Sequence, residues 1–174
     1  MFAAAVGGSL LLVASPAEAF ASELESPPPS SHTETSAVSE MSPADAKAKA
    51  AADAKAKAAA AAKKRVLIAK KYIGVRYKRG GTGPKAGFDC SGFTRYVYKQ
   101  AGKNIPRTSA AQRHAGKTVS RAQARPGDLV WFSDFRHVAI YAGNGYIIDA
   151  PKPGKKVSKR KLWTSHVKYI RVAG

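Results

Sequence analysis

The chain has 174 residues, enough for one domain of ordinary size plus a tail, and its formal net charge is +19. Its single cysteine excludes an intramolecular disulfide, so the fold must depend on a hydrophobic core. The charge is uneven, because residues 1–43 hold five acidic and no basic residues, whereas residues 64–174 hold 25 Lys and Arg against four Asp, a net charge of +21. Such a surface attracts polyanions, a class that includes nucleic acid, anionic lipid head groups and anionic wall polymers, and charge alone does not choose among them.

The first 43 residues have the composition of a targeting segment followed by a linker. Residues 3–14 form an apolar run that is too short to span a bilayer comfortably, and two sites of the A-x-A type follow it at residues 17–21. This pattern predicts a secretory signal over residues 1–21, although no Lys or Arg precedes the apolar run. Residues 22–43, rich in Ser, Pro, Glu and Thr, are predicted to be a disordered, mildly acidic linker. We therefore expect export, with no stable membrane span in the mature form.

An octapeptide, ADAKAKAA, occurs twice in succession over residues 44–59. Ala and Lys are good helix formers, so we predict a helix over residues 44–64 with Ser42 or Asp45 as its N-cap. The stretch has no large apolar residue and cannot bury a hydrophobic face, which predicts an exposed helix. A spacer is the favoured interpretation, and a basic arm that holds the protein on an anionic polymer is the alternative.

From residue 65 onward the composition becomes that of a globular domain, which we predict to span residues 65–174. The predicted helices lie over residues 66–73, from Cys90 to Gly102, and from Thr108 or Ser109. The predicted strands lie over residues 128–133, 136–142, 146–150 and 167–172. Helices that precede an antiparallel sheet indicate an α+β fold.

Cys90 stands where a loop turns into the second of these helices. The free N–H groups and the dipole of a helix N-terminus stabilise a thiolate, and the same N–H groups can stabilise a tetrahedral oxyanion. Asp89 is suited to be the N-cap that determines where the helix begins. Ser91 and Gly92 are small, which we interpret as keeping the site open. This local pattern makes Cys90 a candidate nucleophile.

His137 begins an apolar strand, and Asp149 lies on the strand that returns from it. If residues 143–145 form a three-residue loop, Ala142 pairs with Tyr146, and His137 then shares a sheet face with Asp149. A two-residue loop would place the two side chains on opposite faces, so the prediction depends on the register. On a shared face, the carboxylate can hold the imidazole tautomer and stabilise the imidazolium.

Several motifs follow one another between residues 66 and 158. They are Tyr77 with Gly80-Gly81, Phe88-Asp89-Cys90-Ser91-Gly92-Phe93, Ile105-Pro106-Arg107-Thr108-Ser109 with Gln112, Arg125-Pro126-Gly127-Asp128-Leu129-Val130, His137-Val138-Ala139-Ile140-Tyr141-Ala142-Gly143-Asn144-Gly145, and Ala150-Pro151 with Gly154. In this order and at this spacing they resemble the NlpC family of bacterial cell-wall cysteine peptidases, which implies a papain-like fold.

The resemblance implies a role for each matching position. Cys90 is implied to be the nucleophile and His137 the base. Asp149 stands where the family carries its third polar residue, most often His, so the residue type departs from the family but its chemistry does not. Supporting or substrate-binding roles are implied for Tyr77, Asp89, Ser91 and Arg107.

Arg79 stands where the family usually has an aromatic residue before the glycine pair, which predicts a differently shaped substrate groove. Residues 106–112 and 125–129 are interpreted as supporting the fold.

The resemblance implies a secreted or wall-associated peptidoglycan hydrolase that cleaves stem peptides between γ-linked D-Glu and the diamino acid, by thiol acyl transfer and without a cofactor. Anionic wall polymers are a further expected partner. No metal site is predicted, because four His and one Cys are too few and too dispersed. Two alternatives stay open: an amidase or acyltransferase acting on peptidoglycan, and a non-enzymatic basic wall-binding or nucleic-acid-binding module. Nucleic acid is not expected, because aromatic residues are not interleaved with the basic ones.

Overall fold

A computed structural model of the protein describes residues 42–173, so the predicted signal and nearly all of the predicted linker lie outside the described residues. The first element is a single helix, α1 (Pro43–Lys71), which joins the Ala/Lys repeat to the first predicted helix of the domain without a break. Ser42 caps it by accepting a hydrogen bond from Ala44 N, and Pro43 occupies a first-turn position where its missing N–H is not needed. None of the helices among residues 42–173 is both long and apolar enough to cross a bilayer.

Burial along α1 begins only where large apolar residues begin. The repeat is exposed as far as residue 60, whereas Arg65, Val66 and Ala69 are buried against the domain. Most of α1 is therefore held by its helix propensity and cap alone, while its last two turns belong to the core.

Two shorter helices follow, with a small hairpin before them. The hairpin consists of β1 (Thr82–Gly83) and β2 (Gly87–Phe88), and the helices are α2 (Cys90–Gln100) and α3 (Ser109–Gln112). Asp89 caps α2, as local sequence predicted, and α3 begins at Ser109, one of the two predicted positions, with Thr108 as its cap.

The rest of the chain forms one antiparallel sheet of six strands in the order β3-β8-β4-β5-β6-β7. The strands are β3 (Lys117–Val119), β4 (Leu129–Phe132), β5 (His137–Gly143), β6 (Tyr146–Asp149), β7 (Ser158–Lys161) and β8 (Val167–Arg171). The two edge strands, β3 and β7, were not predicted. Their sequences, KTV and SKRK, lack the apolar alternation that predicts a strand, and charged side chains are typical of sheet edges.

Both faces of the central strands are covered. The helices pack on one face, where Phe93 and Val97 of α2 meet Leu129, Ile140 and Ile170 of the sheet. On the other face a second cluster forms around six further side chains, namely Val130, Phe132, Ala139, Tyr141, Ile147 and Tyr169. All four residues of β4 are consequently buried. The predicted α+β arrangement of helices against a central antiparallel sheet is confirmed.

The β5–β6 connection differs from the predicted loop. Gly143, not Ala142, pairs with Tyr146, so the turn has only the two residues Asn144 and Gly145. Their φ angles are 53° and 74°, as a type I′ turn requires. The turn is therefore the two-residue alternative, and the pairing of Ala142 with Tyr146 that a three-residue loop would give does not form.

A bulge between Tyr141 and Gly143 nevertheless restores, further along the strands, the register that places His137 and Asp149 on one face. Ala142 is the extra residue, and beyond it Ile140 pairs with Ile148. An extra residue on one strand shifts the pairing by one, which offsets the shorter turn. His137 and Asp149 consequently meet on one face.

Candidate active site

Cys90 is the first residue of α2 and its thiol is partly exposed. The helix begins there because Asp89 has an extended conformation and its Oδ1 accepts a hydrogen bond from Gly92 N at 2.6 Å. Within residues 42–173, the amides of Cys90 and Ser91 donate no hydrogen bond to the protein. Two free N–H groups therefore lie beside a reachable sulfur.

Asp89 also joins two other segments to the start of α2. Its carboxylate accepts hydrogen bonds from Gly80 N at 3.0 Å and from the two terminal nitrogens of Arg107 at 3.0 and 2.6 Å. The hydrogen bond to Asp89, together with the charges of Asp89 and Cys90, outweighs burial and raises the pKa of Arg107. Arg107 thus lies near the thiol but is held by Asp89.

Ser91 and Gly92 do not widen the site, contrary to the interpretation of their small size. Both belong to the first turn of α2 and are buried against the domain. The Gly81 carbonyl lies where a Cβ on Gly92 would stand, so glycine allows the loop to pack against the helix. The Ser91 hydroxyl accepts a hydrogen bond from Arg107 at 3.0 Å.

A buried amide fixes the first turn of α2 from below. Gln112 is fully buried, and its Nε2 donates to the carbonyls of Ser91 at 2.9 Å and Pro106 at 2.8 Å. Its Oε1 accepts a hydrogen bond from the Thr94 hydroxyl at 2.7 Å. The segment of residues 106–112 is thereby attached to the helix that carries Cys90.

His137 faces both Cys90 and a buried carboxylate. Its Nε2 is 2.6 Å from Asp149 Oδ2, and Asp149 has no solvent exposure. Burial by itself lowers the pKa of His137, but the interactions with Asp149 and with the Cys90 side chain outweigh it and raise the pKa to about 9. With Nε2 turned to Asp149, Nδ1 is left to exchange a proton with the thiol.

Comparisons with known proteins identify the family of the domain. Residues 74–173, more than half of the chain, match the sequence model of the NlpC/P60 family. The chain belongs to the NlpC/P60 family. The resemblance found from the sequence motifs is thereby confirmed.

Two curated relatives are similar to part of the chain. The probable endopeptidase p60 of Listeria innocua is 50% identical over 91 residues, which cover 51% of this chain and 19% of that protein. A probable endopeptidase of Corynebacterium glutamicum is 44% identical over 95 residues, which cover 54% of this chain and 44% of that protein. The chain spans less than half the length of either relative.

Two solved structures share the fold. The NlpC/p60 domain of the peptidoglycan hydrolase SagA is 40% identical with a TM-score of 0.59, and the match covers 64% of this chain and 98% of that one. The peptidoglycan hydrolase RipB of Mycobacterium tuberculosis is 30% identical with a TM-score of 0.61, and the match covers 68% of each chain. The predicted papain-like fold is confirmed.

In this NlpC/P60 domain, Asp149 has a second partner that sequence reasoning missed. Arg160 of β7 donates from Nε to Oδ1 at 2.9 Å and from Nη2 to Oδ2 at 2.5 Å. Burial by itself raises the pKa of Asp149, but the hydrogen bonds from Arg160 and His137 outweigh it and lower the pKa below its usual value. Arg160 stands in a run of basic residues that resembles a solvated surface, and no local signal marks it.

Aromatic rings brace the same corner. The Phe132 ring lies 5.3 Å from His137 and is stacked on Trp163 at 4.9 Å between centroids. The Arg160 guanidinium lies 4.0 Å from the centre of the Trp163 ring. The partners of His137 and Asp149 are therefore packed in place by one continuous cluster.

Tyr77 and Arg79 belong to the segment that precedes the glycine pair, and they differ in burial: Tyr77 is partly buried and Arg79 is exposed. Burial raises the pKa of Tyr77, and the nearby charges of Cys90 and Asp89 raise it further, which places the hydroxyl near the site. Arg79 is exposed and forms no ion pair with any carboxylate of residues 42–173. The structure thus brings Tyr77 to the site and leaves Arg79 at the rim.

A groove of about 430 Å³ runs past His137. It is lined by His137, Arg160 and four further residues, Phe135, Pro151, Lys152 and Trp163. The lining of this groove therefore combines two aromatic rings and two basic side chains with His137 and Pro151. His114 and His166 are exposed and contribute nothing to it.

Proposed function

We propose that this chain is a peptidoglycan hydrolase that cleaves stem peptides by thiol acyl transfer, with Cys90 as nucleophile, His137 as base and Asp149 as the residue that orients the imidazole. The observation that carries the proposal is that the His137 side chain interacts with the partly exposed Cys90 and is held at 2.6 Å by a buried carboxylate. Relatives named as endopeptidases and peptidoglycan hydrolases support this class of reaction.

The raised pKa of His137, about 9, means that the imidazole keeps its proton at neutral pH. A protonated imidazole beside a thiol favours the thiolate, which is the nucleophilic form. The buried Asp149 stabilises the positive ring, and Arg160 keeps that carboxylate ionised.

The reaction then proceeds in two balanced steps. The Cys90 sulfur attacks the amide carbonyl, and the oxyanion that forms can accept hydrogen bonds from the free amides at the start of α2. The C–N bond breaks as His137 gives its proton to the leaving amine, which leaves a thioester on Cys90. His137 next takes a proton from water, the hydroxide adds to the thioester, and the acid product and the thiolate are released.

Solved RipA variants support Asp149 as the third residue of the proposed site. They are mutated at a cysteine, a histidine and a glutamate. The histidine and the glutamate are 12 positions apart in that protein, as are His137 and Asp149 here. An acidic third residue is therefore compatible with this architecture.

The finer parts of the proposal rest on family resemblance. The bond would be the one between γ-linked D-Glu and the diamino acid, and an amidase or acyltransferase acting on peptidoglycan is the alternative. A peptidoglycan substrate requires a secreted or wall-associated protein, in agreement with the signal predicted over residues 1–21. Anionic wall polymers are proposed as additional partners of the basic domain.

A digest of purified muropeptides, read by mass spectrometry, tests the proposal. The wild type should release two fragments whose masses identify the bond, and Cys90→Ala should release none while its thermal unfolding is unchanged. His114→Gln, at an exposed position outside the groove, is the matched control and should cleave like the wild type. Full activity of Cys90→Ala would reject the proposal, and masses that correspond to the glycan–peptide junction would establish the amidase instead.

A further inference from the structure

Each of the four Asp side chains after residue 63 has a positively charged or histidine partner among residues 42–173. Three of the four acidic residues after residue 63 form ion pairs with arginines: Asp89 with Arg107, Asp128 with Arg171, and Asp149 with Arg160. The fourth, Asp134, is bonded to His166 at 3.0 Å. Within residues 42–173 no lysine forms an ion pair with a carboxylate. The lysines therefore have no protein counter-ion in the described part of the chain.

Three of these lysines are gathered around one cavity. A groove of about 540 Å³ is lined by Lys152, Lys155 and Lys156, together with Pro151, Gly154, Ser158 and Arg160. It shares Pro151, Lys152 and Arg160 with the groove that passes His137, so the two grooves adjoin. The charge of Arg160 is compensated by Asp149, which leaves the net positive charge of this groove on the three lysines.

The loop that carries the lysines is held in place by its backbone. Tyr77 N donates to the Lys155 carbonyl at 2.8 Å, and Arg76 forms a β-bridge with Lys156. The next residue, Val157, donates to the Val75 carbonyl at 2.8 Å. The basic loop is thus attached to the segment that brings Tyr77 to the thiol, so its position relative to the catalytic groove is set before a ligand binds.

We propose that this basic groove, lined by Lys152, Lys155 and Lys156, binds the carboxylate-bearing part of the same stem peptide whose amide Cys90 attacks. The inference rests on the proposed function and adds a specificity: substrates with free carboxylates bind in preference to substrates whose carboxylates are amidated. Because the two grooves adjoin, the substrate itself is favoured over a separate polyanion: a peptide bound at His137 and extended past Pro151 would reach the lysines directly. An amide has no charge for the lysines to compensate.

Binding by the full chain with Cys90→Ala provides the test, with two probes: a disaccharide tetrapeptide with free carboxylates and the same muropeptide with those carboxylates amidated. The triple variant K152Q/K155Q/K156Q should bind the free-carboxylate probe about tenfold more weakly, as expected for a few solvent-accessible ion pairs, and should bind the amidated probe within about twofold of its parent. All three lysines are exposed, so the fold should be retained, and thermal unfolding checks this.

The matched control removes the same charge elsewhere. Lys117 and Lys168 lie on β3 and β8, at the opposite side of the sheet from β7, and Lys99 lies at the far end of α2. K99Q/K117Q/K168Q should bind both probes as its parent does. Equal weakening of both probes by the groove variant, or equal weakening of the free-carboxylate probe by the control, would reveal general electrostatic attraction and overturn the inference. Cleavage of either probe by the Cys90-intact protein is measured separately, so a failure of the proposed hydrolysis is distinguishable from a failure of the groove.

Discussion

Arg160 donates two hydrogen bonds, at 2.9 and 2.5 Å, to the carboxylate of Asp149. Asp149 is fully buried and also holds His137, so one carboxylate lies between two positively charged groups. A buried carboxylate without partners would become neutral. Arg160 is therefore a positioning residue: it acts through Asp149, which it keeps ionised and oriented.

Replacing Arg160 should change the pH profile as well as the rate. In Arg160→Met the largest influence that lowers the pKa of Asp149 is lost, so the acidic limb of kcat/KM against pH should move to higher pH. We expect kcat to fall about tenfold at pH 7, because the imidazole is less well oriented. Arg160→Lys should restore the acidic limb, through its charge, more than it restores kcat. Arg95→Met, on an exposed part of α2, is the control, and an unshifted limb in Arg160→Met would contradict the assigned role.

The raised pKa of His137 should make stability depend on pH in a particular window. The folded pKa is about 9 and the ordinary value is 6.5, so the protonated ring stabilises the fold fully below pH 6.5 and this contribution is lost as pH rises through 9. We expect the free energy of unfolding of the wild type to fall by roughly 1–3 kcal/mol across the window, relative to His137→Gln. Urea unfolding at pH 6, 7.5 and 9.5 measures the difference, and parallel curves for the two proteins would refute it.

Asp89 combines a helix cap with an ion pair, and two substitutions separate these roles. Asp89→Asn keeps an oxygen that can accept from Gly92 N but removes the charge that holds Arg107, so it should lower the free energy of unfolding by about 1 kcal/mol. Asp89→Ala removes both and should cost about 2–3 kcal/mol, with a larger loss of activity because α2 no longer begins at Cys90. Asp45→Ala, on the exposed start of α1, serves as the control. Equal destabilisation by the two Asp89 substitutions would show that the cap contributes nothing.

Removing the Gln112 side chain should lower the free energy of unfolding more than removing any other polar side chain beneath the site. It is fully buried, and its two donor bonds and one acceptor bond join Ser91, Pro106 and Thr94. Gln112→Ala should lower the free energy of unfolding by about 3 kcal/mol, since it leaves buried polar groups without partners. Gln100→Ala, at the exposed end of α2, should change it by less than about 0.5 kcal/mol. Thermal and urea unfolding of the two variants measure the difference, and equal stability of the two would show that the Gln112 network does not stabilise the fold.

Local sequence was sufficient where local physics decides the structure. Asp89 before Cys90 has the short polar side chain of an N-cap, and the helix begins there. The four strands β4, β5, β6 and β8 were predicted because their apolar side chains line a core on both faces. The Ala/Lys repeat is helical and exposed because it combines high helix propensity with no side chain to bury.

The site required information that is not local. Arg160 lies in the polar edge strand β7, and only the pairing of β7 with β6 places it beside Asp149. His137 and Asp149 share a sheet face because a two-residue turn is combined with a compensating bulge. From the sequence, the same shared face was expected to require a three-residue loop without a bulge.

By itself the sequence determined the family, the α+β class and the helix start that exposes the lone cysteine, because motifs, periodicity and capping act over a few residues. Only the tertiary structure decided which charges meet. It paired the carboxylates of Asp89, Asp128 and Asp149 with three arginines, and Arg160 is the partner of Asp149. It also left the lysines of residues 152–156 beside the groove without a carboxylate partner among residues 42–173. Ion pairs depend on distances of a few ångströms between residues far apart in the chain, and those distances are set only when the sheet closes against the helices.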